Sequence, residues 1–108
     1  MLKTLKFRPH LVTLILSGEK TTTWRLFDDK DLQAGDKVEF LNSTTKNIVA
    51  HAVLTKVYTK PLGKVEDVDY AGHEKYENAD AMLAKFREYY GDRVNVDTVV
   101  KIIHFKLN

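Results

Sequence analysis

The 108-residue sequence predicts one α+β domain, a small curved sheet or β-barrel carrying two helices in the order β-α-β-β-β-α-β. Three observations lead there. Five short runs rich in β-branched and aromatic residues are separated by Gly, Pro and Asn turns. Two stretches instead repeat apolar residues at helical spacing. The length suits a single core, since a chain of this size buries roughly two-thirds of the surface it exposes when unfolded.

Leu2 to Phe7 alternates weakly and reads as a strand. Arg8-Pro9-His10 follows, and Pro suits the first turn of a helix. Leu11, Val12, Ile15 and Leu16 then recur at helical spacing, and Gly18 supplies the left-handed stop, so residues 9–17 read as a short helix. A strand runs from Lys20 to Leu26, favoured by three consecutive threonines. Residues 27–34 are polar and irregular, and Gly35-Asp36 turns into the alternating strand Lys37 to Leu41. After a polar turn, Ile48 to Tyr58 is apolar on both faces in its first half, as a central buried strand should be, and Pro61 and Gly63 end it. Residues 64–77 read as a loop with one helical turn near Val65–Val68. Asn78 caps a helix whose Ala79, Met82, Leu83, Phe86 and Tyr90 share a face, and Gly91 stops it. Val99 to Leu107 is the closing strand.

Composition narrows the function classes. With 44% hydrophobic and 30% charged residues the chain reads as a soluble protein, and no apolar run approaches the ~20 residues needed to cross a bilayer. There are no cysteines, which excludes disulfides, thiolate metal sites and cysteine nucleophiles. A cytoplasmic location is the default expectation, and no membrane partner is expected. The net charge of +2 is small, but residues 66–80 hold six acids and one Lys, a local −5 that leaves +7 for the remainder. A basic surface around an acidic segment could hold a polyanion while keeping a carboxylate near it; a solvated acidic loop is the plainer alternative.

The chemistry concentrates in Gly18-Glu19-Lys20-Thr21-Thr22-Thr23-Trp24-Arg25, where an amine, three hydroxyls, an indole and a guanidinium fall within six residues. A Thr hydroxyl is a weak nucleophile that needs a base within hydrogen-bond reach. A free Lys, with a pKa of ~10.4, would have to drop to ~7–8, about three units or ~4 kcal/mol, which takes burial and a neighbouring cation such as Arg25. In an ideal strand residues three apart face opposite ways, so Lys20 and Thr23 converge only if Lys20 lies in the turn or a bulge re-aims one of them. Thr21, Thr23 and Arg25 share a strand face, which makes Thr21 the second candidate hydroxyl. An exposed Thr-rich edge strand without chemistry fits the same residues. For Trp24, Tyr70, Tyr76 and Phe27 the choice is between a flat wall for a nucleobase and plain core packing.

Together with Ala34-Gly35-Asp36-Lys37-Val38 and the closing Ile102-Ile103-His104-Phe105-Lys106-Leu107, this stretch resembles the ASCH domain family over essentially the whole chain. The family pattern of Gly, Lys, Thr and Arg followed by a Gly-Asp turn is met by Gly18, Lys20, Thr23, Arg25 and Gly35-Asp36. The resemblance implies a PUA-like β-barrel. It also implies similarity to small N(4)-acetylcytidine amidohydrolases, in which a Lys accepts a proton, a Thr attacks and a Glu in a later loop donates. Carried over, these are Lys20, Thr23 and Glu77, with Glu74 the second match for the Glu; the reading of the residues themselves adds Arg25, Thr21, Trp24, Tyr70 and Tyr76 as substrate-binding residues. Trp24, where the family has an aliphatic residue, and Leu26-Phe27, in place of an Asp-containing continuation, bear on the substrate. Other family members are thought to bind RNA, with ribonuclease activity implied for some, so the expected partner is a small nucleoside or RNA. No cofactor or metal is expected. His10, His51, His73 and His104 lack paired ligand spacing, and His51 and His104 should sit satisfied near the core. The oligomeric state is left open.

Overall fold

The computed structural model describes residues 2–28, 30–73 and 75–108, and the elements follow the predicted order. They are β1 (Lys3–Phe7), α1 (Pro9–Ser17), β2 (Thr22–Leu26), β3 (Lys37–Asn42), β4 (Ile48–Pro61), α2 (Ala79–Tyr90) and β5 (Val99–Leu107). Two short 3₁₀ turns, Leu62–Lys64 and Asp67–Tyr70, replace the single helical turn expected near residue 65.

Local rules explain most boundaries. Pro9 opens α1, and Gly18, at φ 86°, closes it with its N–H on Ile15 O. The Asn78 side chain accepts from Ala81 N at the start of α2. Strand β2 starts two residues later than expected. Lys20 N–H folds back to Leu14 O (3.0 Å), and the N–H groups of Thr21 and Thr22 both reach Gly72 O (2.8 and 3.0 Å). Strand β4 runs on to Pro61 because β5 offers partners as far as Val99.

The five strands form one sheet in the order β1-β3-β4-β5-β2. Only the β1–β3 pair is parallel; the rest are antiparallel, with register shifts at Phe40/Leu41 and Leu54/Lys56. Such irregularities bend a sheet and increase its twist. The sheet curls into a half-barrel, and among the described residues the edge strands β1 and β2 do not pair, which leaves a seam. One cluster, including Leu5, Phe7, Val38, Phe40, Leu54, Ile103 and Phe105, packs with Val12 and Ile15 of α1. The other joins Trp24, Leu26, Val100 and Ile102 to Met82, Leu83 and Phe86 of α2. Strand β5 therefore feeds both clusters, as its doubly apolar sequence requires. Phe40 is fully buried with Phe7 and Phe105 edge-on at 4.8 Å each.

Two expectations are corrected. Strand β4 is central in the sheet, but Ile48 at its start is 52% exposed: it pairs with Leu41 of β3 on one side, while β5 begins to pair only at Ala52. His51 is exposed opposite its β3 partner Glu39 and meets that side chain at 3.3 Å instead of sitting near the core. No helix among the described residues is long and apolar enough to cross a membrane.

Candidate functional site

The seam between β1 and β2 contains a cavity of about 400 Å³. Lys6 and Phe7 line it from β1, Lys20, Thr23, Trp24 and Arg25 from the chain entering and forming β2, and Arg8, His10 and Leu11 from the start of α1. Lys85, Phe86, Tyr89 and Tyr90 of α2 close one side, with His73, Tyr76 and Ser43 from loops. Arg25 straps the seam: Nη2 donates to Lys6 O at 2.7 Å, and the guanidinium lies 4.7 Å from the centre of the Phe7 ring. Burial pushes the Arg25 guanidinium below its usual value, with Tyr90 and Asp28 acting in the opposite direction.

Lys20 and Thr23 are 3% and 4% exposed and line this same cavity. The opposite-face problem disappears because Lys20 stands before the strand, in the turn that Gly18 opens. Trp24 is both core and wall: 4% exposed, it stacks on His73 (4.3 Å, 20°) and on Phe86 (6.2 Å, 3°), with Tyr70 and Tyr76 at 4.9 and 6.3 Å. Tyr76 lines the cavity, but Tyr70 does not; it packs on Trp24 and directs its hydroxyl to Met82 Sδ at 3.8 Å. Thr21 is exposed and outside the lining, against Gly72. Glu77 is also exposed and outside the lining. Glu74, the second match for the acid, lies outside the described residues.

The loop that brings His73 over Trp24 is clasped to the sheet by buried polar groups. Asp69, 1% exposed, accepts from Tyr58 Oη (2.6 Å), Lys60 Nζ (2.8 Å) and Glu66 N (2.8 Å). Burial pushes the Asp69 carboxyl up, but the bonds from Lys60, Tyr58 and Glu66 outweigh it and hold the carboxyl below its ordinary value. The Tyr58 hydroxyl is pushed up to about 12 by burial and by its bond to Asp69. So within the acidic stretch, Asp69 is a structural anchor and not part of a solvated loop.

Two residues further on, Thr22 Oγ1 donates to Ala71 O (2.7 Å) and lies 2.9 Å from His104 Nδ1. A hydroxyl has one proton, so His104 must donate from Nδ1, and its Nε2 carries the lone pair. Burial, then Lys56, lowers the His104 pKa, while Asp69 raises it, which keeps the ring neutral. His104 is thus satisfied near the core as expected.

The sequence did not point to Lys6, Arg8, His10, His73, Lys85 or Tyr89 as cavity residues. Among the described residues no three His, Asp or Glu side chains gather as metal ligands.

No protein-family model matches this sequence, and no curated protein matches it. Solved structures do. A DUF984 protein of Enterococcus faecalis superimposes with a TM-score of 0.80 at 20% identity, over 99% of this chain and 80% of that one. An ASCH domain from Lactobacillus crispatus gives 0.69 at 18% identity, over 89% and 69%. The ASCH protein of Zymomonas mobilis gives 0.59 at 13% identity, over 95% and 65%. The likeness is one of fold, and the fold is ASCH-like.

Proposed function

We propose, taking the ASCH-like fold as the premise, that this protein is a small amidohydrolase that removes the acetyl group from N(4)-acetylcytidine or a related modified nucleoside. The observation that carries this reading is the burial of Lys20 and Thr23 in the lining of one cavity that also has an aromatic wall. Thr23 Oγ attacks the acetyl carbonyl as its proton passes to the Lys20 amine. The amine must be neutral at that moment, a state that burial favours. Arg25 or a backbone N–H stabilises the oxyanion, a contribution of about 10²–10³ in rate for one well-placed donor. The C–N bond then breaks, an acid protonates the departing cytosine amine, and water releases acetate from Thr23. His73 and Tyr76 offer stacking surface worth about 1–3 kcal/mol per base, while Trp24, stacked between His73 and Phe86, backs that wall.

Glu77 is the acid in this reading. Being exposed and outside the lining, it serves only if substrate draws the segment before α2 inward. Glu74 is the other assignment, and separate Glu77→Gln and Glu74→Gln variants distinguish them by which one slows acetate release.

The test is incubation with N(4)-acetylcytidine and chromatography of cytidine and acetate. Lys20→Ala and Thr23→Ala should each abolish release while circular dichroism shows the fold intact. Turnover retained in either variant refutes the mechanism. The competing reading is a non-catalytic RNA-binding domain, or a ribonuclease, using the same basic cleft with Arg25, the exposed Lys56 and Lys60, the last of which is tied to Asp69. It expects no acetate release and an RNA affinity that falls steeply with salt.

A further inference from the structure

We infer that the main-chain N–H of Trp24, presented by the unpaired edge of β2, is the donor that holds the oxyanion in this site. The inference rests on the reading of the cavity as an acyl-transfer site and decides between the two kinds of donor that reading allows.

The pairing of β2 shows which of its main-chain groups are spent. It is an edge strand that pairs with β5 alone, in unbroken register from Thr22 opposite His104 to Leu26 opposite Val100. In an antiparallel pair, opposed residues alternate between exchanging both main-chain bonds and exchanging none. Phe105 N–H donates to Thr21 O at 3.0 Å, one step before Thr22, and this sets the phase. Thr23 and Arg25 therefore turn their N–H and C=O groups to β5, while Thr22, Trp24 and Leu26 turn theirs to the other edge. Thr22 shows it directly, since its N–H goes to Gly72 O at 3.0 Å. Trp24 N–H points to the same edge, and among the described residues nothing accepts from it.

The cavity reaches that edge. Thr23 and Trp24 both line it, yet as neighbours in a strand they send their side chains to opposite faces of β2. A cavity that touches both has to pass around the strand. The side toward β5 is closed, because Ile102 and Ile103, opposite Trp24 and Thr23, are 0% exposed. The cavity therefore passes around the open edge, where the Trp24 N–H emerges. The peptide that carries this N–H joins Thr23 to Trp24, so the chain itself fixes the donor to the nucleophile. In α/β-hydrolases, too, the residue after the nucleophile supplies an oxyanion donor. Arg25 is less free. Its guanidinium is held on Lys6 O and against the Phe7 ring, and turning it to the intermediate would undo the strap across the seam.

In the acylation step the bond from Thr23 Oγ to the acetyl carbon forms and the hydroxyl proton passes to the Lys20 amine. The carbonyl π pair moves onto oxygen, where Trp24 N–H meets it. The pair then returns, the C–N bond breaks, and the cytosine amine leaves with a proton from the acid. Attack of water on the acyl-Thr23 ester puts the same charge at the same N–H, so one donor serves both halves of the reaction. A donor used only by the intermediate acts on kcat and not on KM.

The test replaces Trp24 with indole-3-lactic acid by nonsense suppression, which turns the peptide N–H into an ester oxygen and keeps the indole. Acetate release from N(4)-acetylcytidine should lose about 10²–10³ in kcat with little change in KM. Cytidine, which has no acetyl group, should bind the ester chain and the natural chain alike in calorimetry. Trp24→Pro measured against Trp24→Ala gives a second reading. Both lose the indole, only Pro loses the N–H, and Pro is tolerated where an edge strand turns its N–H outward; kcat should again be lower for Pro, by about 10²-fold or more. An unchanged kcat in the ester chain, a loss matched by an equal loss of cytidine affinity, or equal kcat for the Pro and Ala variants overturns the inference and leaves the amidohydrolase standing. No acetate from the natural chain ends the amidohydrolase reading, and this inference with it.

Discussion

Replacing Asp69 with Ala tests whether the polar clasp holds the cavity's aromatic wall. The carboxylate is 1% exposed and accepts three bonds of 2.6–2.8 Å. Truncation leaves the half-buried Tyr58 hydroxyl without an acceptor, which costs about 1–2 kcal/mol. It also uncaps the 3₁₀ turn at Glu66 N, about 1 kcal/mol. Lys60 adds little, about 0–1 kcal/mol, because its side chain is 28% exposed and can turn to water. The total is about 3 kcal/mol, which for a domain of this size lowers Tm by roughly 12–24 °C. The assay is urea unfolding followed by the emission of Trp24, the single tryptophan, which also reports on the His73 stacked against it. Asp69→Asn should fall between: an amide still accepts from Tyr58 but turns an NH₂ toward Lys60 and Glu66 N. A loss below about 0.5 kcal/mol for Asp69→Ala, within the range of ordinary surface changes, with an unchanged native emission spectrum, would refute the clasp.

Two further outcomes follow from the same region. Gly72 has φ +76°, and a Cβ built there runs into Thr21 Oγ1, so Gly72→Ala should cost at least the ~1–2 kcal/mol of left-handed strain and shift Trp24 emission; a neutral urea midpoint would contradict it. His104 has a lowered folded pKa, so the unfolded chain binds its proton first, and stability should fall as pH drops below ~6.5. The carboxyls of Asp69 and Asp36, also held low, add a second loss as pH falls through the unfolded carboxylate value of ~3.9 and toward their folded values. His104→Gln should remove the first phase and leave the second; an unchanged profile between pH 5 and 7 would show that His104 does not titrate as described.

Features governed by neighbours in the chain were readable from residues alone. The Pro9 start and Gly18 stop of α1, the Asn78 cap of α2 and the alternation of β3 depend on bonds and periodicities spanning a few positions, and the structure reproduces them. That Lys20 and Thr23 could line one cavity was legible only as a condition, that Lys20 lie in the turn before the strand. The unclosed seam and the strap from Arg25 to Lys6 were not legible. Neither were the exclusion of Thr21, Tyr70 and Glu77 from the cavity and the transfer of Asp69 from surface to core. These depend on the sheet order β1-β3-β4-β5-β2, which places residues tens of positions apart side by side. Local preference has no term for such neighbours; curl, register and long-range burial choose them, and with them the charge and shape of the site.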